Sequence, residues 1–238
     1  MPNFENQMHK DLSKQVIQEY PFEHVLVDDF LASTQLIGLQ SDLKKLENSA
    51  PQKIFESAFG TKQEWKIFPD NLNELKGFID YMSSEKLISQ IKSLFSIGKE
   101  TNIYPDLSYD GGGYVISPPQ SFLSYHADFN FSNEIKKFRS LNILFYMNPE
   151  STINGGSLHL LDAESKTVEK IVEPKLNRLL IFKTDDVSFH GVSRNNENFF
   201  RRSFNFYYYT DVPLSQKQSQ DPHKTIWMDF NHGANHTH

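Results

Sequence analysis

The chain has 238 residues, with 24 Lys and Arg against 30 Asp and Glu, a formal net charge of −6, and no cysteine. The missing cysteine excludes disulfides, thiol catalysis and Cys-based zinc or iron–sulfur sites. The acidic balance argues against a nucleic-acid or anionic-membrane binder, whose surface needs a basic excess.

The first segment, 1–20, is polar and reads as a lead-in; its start lacks the basic and apolar stretches of a secretory signal. No apolar run approaches the roughly 20 residues that cross a bilayer, so the expected location is the cytoplasm. P-F-E-H-V-L-V-D-D-F-L then gives a short strand, about His24 to Val27. Ser33 or Thr34 is the expected cap of a helix over 35–48, where Leu36, Leu39, Leu43 and Leu46 repeat at three- and four-residue steps. Residues 50–70, broken by Pro51, Gly60 and Pro69, read as irregular or as short strands. Two further amphipathic helices are predicted over 71–82 and 85–97.

From Asn102 the pattern changes. Short runs of β-branched and aromatic residues recur at 114–116, 122–126, 141–147, 157–161, 167–172, 178–182, 189–192 and 203–209, separated by turn signals such as Gly111-Gly112-Gly113 and Asn154-Gly155-Gly156. Helices first and many short strands after suggest a β-sandwich or jelly roll braced by helices. Residues 215–238, with His223, His232, His236 and His238 and an apolar patch at Ile226–Met228, read as a peripheral extension.

The chemistry sits in S-Y-H-A-D-F-N. His126 and Asp128 are two positions apart, so on a strand both point to one face. His190, in F-H-G-V, supplies a second imidazole. Two imidazoles and one carboxylate hold Fe(II) on one side and leave the other open to a chelating co-substrate and O2. Arg201 and Ser203 head a later strand and share a face, where a guanidinium beside a hydroxyl suits a carboxylate. A register slip of one would put Arg202 in that place. His159 reads as structural; Asn130 and Asn142 could point polar groups into the pocket but read rather as turn or edge residues, and Tyr114 could line the pocket mouth but reads rather as core. Phe122, Phe145, Phe182 and Phe204 are candidates for a dry wall.

Together with P-F-E-H-V-L-V-D-D-F-L, the ordered segments G-G-G-Y-V-I-S-P-P-Q-S-F-L-S-Y-H-A-D-F-N, L-N-I-L-F-Y-M-N-P, G-G-S-L-H-L, N-R-L-L-I-F and F-H-G-V resemble the prolyl 4-hydroxylase-like branch of the Fe(II)/2-oxoglutarate dioxygenases over residues 21–210. The resemblance implies a mainly β fold with α: a double-stranded β-helix (jelly-roll, cupin-like) core at about 102–210, helical support at 33–97, and one oxygenase domain over 21–214. It implies Fe(II) on His126, Asp128 and His190, and 2-oxoglutarate anchored by Arg201 with Ser203 beside it and Tyr146 donating its hydroxyl. Such an enzyme couples decarboxylation of 2-oxoglutarate to succinate and CO2 with hydroxylation of an unactivated C–H bond, O2 being consumed and ascorbate an allowed accessory. The substrate implied is a prolyl residue of a peptide or protein. A free amino acid or other small metabolite is the alternative within the family, and a non-catalytic jelly-roll ligand binder the alternative outside it. A metal-dependent hydrolase would need a general base beyond the ligand set, and no H-E-x-x-H or comparable motif is present.

Overall fold

Alternation along the long strands decides the architecture. The structure, a computed structural model, describes residues 10–149 and 154–228. Residues 1–9 of the lead-in and His232, His236 and His238 of the tail lie outside them. In chain order come β1 (His24–Val27), α1 (Ser33–Leu46), β2 (Lys53–Ser57), β3 (Gly60–Trp65), α2 (Asn73–Met82), α3 (Glu85–Leu94), β4 (Ile103–Pro105), β5 (Gly113–Ser117), β6 (Leu123–Ala127) and β7 (Phe131–Ser132). They are followed by β8 (Lys137–Tyr146), β9 (Leu158–Leu161), β10 (Val168–Val172), β11 (Arg178–Lys183), β12 (His190–Val192), β13 (Arg201–Thr210) and β14 (Ile226–Trp227).

The hydrogen-bonded path runs β1-β11-β8-β13-β5-β3-β6-β12-β9-β10, with antiparallel neighbours. It turns over where β3 meets β6 through the pair Gly60–Leu123, so a long sheet and a short sheet face each other. The result is an antiparallel half-barrel, the jelly-roll core expected from the sequence.

Both faces of the long sheet are buried, which is why its strands read as nearly continuous apolar runs. On β8, Leu141, Ile143 and Phe145 join the helices in one core, while Leu144 and Tyr146 join Leu158, Leu160, Leu180 and Phe182 between the sheets. The helical core centres on Phe78 of α2, whose ring lies 5.1 Å from both Phe145 and Phe204. Burying each such ring contributes about 1.5–3 kcal/mol.

Local details correct or complete the expectation. The N-cap of α1 is Ala32, which makes no side-chain cap bond, and Ser33 is already helical. Ser84 caps α3 by accepting from the Leu87 N–H at 3.3 Å. Residues 53–65 form a β-hairpin, β2–β3, that extends the long sheet. The tail is also structured, because β14 pairs with β6.

Candidate metal centre

His126 lies on β6, Asp128 just beyond its end, and His190 opens β12. The antiparallel register sets His190 directly opposite His126, so the two imidazoles project side by side with ring centroids 4.5 Å apart. Asp128 Oδ1 lies 3.6 Å from His126 Nε2 and its Oδ2 3.6 Å from His190 Nε2. One ligand atom from each residue falls within 4.8 Å of the others. Such a set can reach a single ion at ~2.1 Å.

The ring tautomers suit that task. His126 Nδ1 is 2.8 Å from the Ser124 carbonyl and His190 Nδ1 is 2.9 Å from the Ser188 carbonyl. Donating Nδ1–H to a backbone oxygen leaves the Nε2 lone pair free for a metal. Burial and the neighbouring His126 push His190 down to about 4, against the pull of Asp128. Burial alone would raise the Asp128 carboxyl, but Arg139, a hydrogen bond from His126 and the two imidazoles hold it well below the usual carboxylate range. Asp128 and His190 are therefore in their metal-binding protonation states over the neutral pH range.

Arg139 and Asn142 complete the carboxylate's surroundings. Arg139 Nη2 lies 3.1 Å from Asp128 Oδ2, and Asn142 Nδ2 donates to the same oxygen at 2.7 Å. Arg139 Nε donates to Asn142 Oδ1 at 3.1 Å, and its guanidinium lies 3.5 Å over the Tyr207 ring. The reading of Asn142 as a turn or edge residue is corrected: it sits inside β8 and turns into the cavity. Asn130 is likewise no edge residue but is buried, with its amide holding the tail at Ser219, Asp221 and His223. Arg139 carries no motif and was not legible from the sequence.

A cavity of about 300 Å³ opens on the three ligands, lined among others by Phe55, Phe122, Arg139, Arg201, Tyr207 and Trp227. Strand alternation turns Arg201, Ser203, Asn205 and Tyr207 of β13 toward its interior. Arg202 turns away, its fork clasping Glu47 at 3.0 and 3.1 Å. Arg201 is 3 % exposed; Nη1 donates to Ser203 Oγ at 3.1 Å and Nε to the Gly156 carbonyl at 3.0 Å. Gly156 has φ +65°, and a Cβ there would lie 2.4 Å from Asn195 Oδ1, so glycine is needed to present that carbonyl.

Two buried polar groups in this corner have no hydrogen-bond partner among the described residues: Arg201 Nη2 and the Tyr146 hydroxyl. The Arg201 guanidinium carbon lies 5.0 Å from the centre of the Tyr146 ring. Leaving such groups bare costs about 1–3 kcal/mol each. A carboxylate between them would satisfy both, so the residues present fit a ligand with one carboxylate here and a chelating end at the metal.

Of the four candidate phenylalanines, Phe122 lines the cavity and Phe182 lies with its ring 5.0 Å from that of His190. Phe145 and Phe204 face the helices instead, because their neighbours on β8 and β13 take the inward positions. Tyr114 is core, donating to Glu47 Oε1 at 2.6 Å. His159 faces away from the metal cluster and pairs through Nδ1 with the Tyr125 hydroxyl at 2.8 Å.

A jelly-roll half-barrel that gathers two imidazoles and a carboxylate beside a buried arginine defines a non-haem iron oxygenase. Residues 112–209 match the 2OG-Fe(II) oxygenase superfamily model, the segment that carries all three ligands and Arg201. Its metal is accordingly Fe(II), with 2-oxoglutarate and O2 as co-substrates. A prolyl-4-hydroxylase from Pseudomonas putida superposes with a TM-score of 0.56 at 19% identity, over 84% of this chain and 95% of that one. A prolyl hydroxylase from Trichoplax adhaerens, in complex with a hypoxia inducible factor peptide fragment, gives 0.55 at 19% identity, over 79% of this chain and 83% of that one. The non-heme alpha ketoglutarate dependent epimerase SnoN from nogalamycin biosynthesis gives 0.52 at 12% identity, over 79% and 77%. No curated protein sequence matches the chain significantly.

Proposed function

We propose that the enzyme hydroxylates a prolyl residue of a peptide or protein, with Fe(II) on His126, Asp128 and His190 and the far carboxylate of 2-oxoglutarate on Arg201 and Tyr146. The unpaired Arg201 Nη2 and Tyr146 hydroxyl carry the co-substrate part of this reading. In it, Ser203 orients the guanidinium, since its hydroxyl accepts from Arg201 and donates to Asn205 Oδ1 at 2.8 Å. Fe(II) held there would use O2 as the oxidant, one oxygen atom entering succinate as 2-oxoglutarate loses CO2 and the other entering the C–H bond.

The chain's own residues bind, orient and exclude water. Arg139 and Asn142 hold Asp128 through one oxygen. Phe122, Leu144, Leu158 and Val192 give the cavity apolar walls that keep water from the reacting atoms. Aromatic rings lining the cavity, from Phe55, Tyr207 and Trp227, suit the flat aliphatic face of a pyrrolidine ring. The fold shared with two prolyl hydroxylases, one of them peptide-bound, supports the same choice. No helix among the described residues is long and apolar enough to cross a membrane, and a cysteine-free chain is compatible with the cytoplasmic location this reading assigns.

The test is succinate release from protein loaded anaerobically with Fe(II) and 2-oxoglutarate and then exposed to O2, with ascorbate present as reductant. Proline-containing peptides should stimulate release above the uncoupled rate. Stimulation by free amino acids alone would move the substrate to a small metabolite. Absence of both a metal–co-substrate absorption band and any succinate would sink the oxygenase assignment of these residues.

A further inference from the structure

Resting on that reading, we propose that Trp227 determines access to the metal ligands and that Phe59, at the tip of the β2–β3 hairpin, holds it in place. The two residues are far apart in the sequence. In β14, Trp227 pairs with His126, and cross-strand partners share a face. The indole therefore lies beside the ligand imidazole, with centroids 5.0 Å apart. On the hairpin side Phe59 stacks on it at 4.2 Å and an interplanar angle of 13°.

Three consecutive residues of β6 tie this clasp to the metal centre. The Ser124 N–H donates to the Phe59 carbonyl at 2.8 Å, and the Tyr125 carbonyl accepts from the Met228 N–H at 2.9 Å. His126 follows, its Nδ1 bonded to the Ser124 carbonyl. Gly60 lets the hairpin come this close, since a Cβ there would meet the Phe122 carbonyl at 2.3 Å. Trp227 and Thr225 line the cavity together with Phe55 and Lys62 of the hairpin. The tail and the hairpin thus form two sides of the way in, and the indole is the part of that rim packed against a ligand.

Two measurements test this. In metal-free protein, acrylamide reports Trp227, because the second indole, Trp65, is 3 % exposed. Phe59→Ala should raise quenching of Trp227; unchanged quenching overturns the clasp. In Fe(II)-loaded protein under anaerobic conditions, the chelator ferrozine reports access to the iron. Trp227→Ala and Phe59→Ala should each speed extraction roughly five- to tenfold, in line with loss of one ring pair. The double variant should be no faster than the quicker single one, and Trp227→Phe should stay within about twofold of the parent. Extraction at the parent rate in both single alanine variants overturns the proposal. If the parent protein retains no iron, the metal assignment falls while the quenching arm still decides the clasp.

Discussion

Arg139 Nη2 lies 3.1 Å from Asp128 Oδ2, and the guanidinium is 3 % exposed. A buried cation beside a metal-binding carboxylate competes with the metal in charge but fixes the carboxylate in space. The Asn142 amide shares the same oxygen, so Oδ2 takes two protein donors beside His190 while Oδ1 faces His126. Arg139→Met removes the fork and leaves Asn142 alone to orient the group. Fe(II) affinity should fall about 10–100-fold, the usual effect of losing a partner that orients a ligand. Anaerobic calorimetry with Fe(II) measures this directly, and an unchanged dissociation constant would show that Asn142 suffices.

The His190 imidazole sits at about 4 against an ordinary value of 6.5. A lowered imidazole pKa means that the unfolded chain takes up the proton first as pH falls. The metal-free protein therefore keeps this contribution above pH 6.5 and loses it between 6.5 and 4. One such group gives a slope approaching about 1.4 kcal/mol per pH unit. Burial lowers His24 and His159 as well, so the parent is compared with His190→Gln. The variant's Tm should depend less steeply on pH in that window and run parallel to the parent above pH 7. Parallel curves throughout would mean that His190 is not the group titrating.

Arg201 and Arg202 are neighbours with opposite surroundings, and their variants should separate cleanly. In the proposed reading Arg201→Ala removes a charge-assisted bond to the co-substrate carboxylate, which is worth about 10–100-fold in 2-oxoglutarate affinity. Tyr146→Phe removes a neutral donor and should cost about 2–10-fold. Arg202→Ala breaks the pair with Glu47 and the bond to the Phe200 carbonyl and should leave that affinity unaltered while lowering Tm slightly. The readout is the 2-oxoglutarate concentration for half-maximal succinate release. Equal effects at Arg201 and Arg202 would contradict the inward–outward alternation of β13.

That alternation also explains how much was legible in advance. His126, Asp128, Arg201 and Ser203 are two-residue pairs on strands, so a period of two places each pair on one face before any partner is known. The strand positions followed from β-branched and aromatic runs bounded by glycine and proline. Arg139 was hidden because nothing local marks it, and Asn142, open by its pattern to a pocket or an edge role, matters with it only through Asp128, which a separate strand and turn bring alongside. Trp227 was hidden for the same reason. Ile226–Met228 is a short apolar patch in a polar tail, and only the edge of β6 gives it a place. The helix cap at Ser33 misled because the chain enters α1 one residue earlier, with no side chain to receive the first N–H groups.

Asn130 is the anchor that gives the tail its course, and it supplies the last prediction. Its Nδ2 donates to the Ser219 and Asp221 carbonyls at 2.9 and 3.0 Å, and its Oδ1 accepts from the His223 N–H at 2.8 Å. The residue is 2 % exposed, so water does not replace these bonds at low cost. Asn130→Ala leaves two carbonyls and one N–H without partners, a loss of about 1–3 kcal/mol for the segment. The bonds of Asp186 to His223 Nε2 at 2.9 Å and to the Ser219 N–H at 3.0 Å, with the β14–β6 pairing, then carry the tail. Local opening should rise without global unfolding, since the cores on both faces of the long sheet are untouched. Hydrogen exchange at residues 219–228 should quicken by roughly tenfold or more while β8 and β11 keep their protection. Exchange that quickens equally in β8 would mean that Asn130 supports the barrel itself and not the tail.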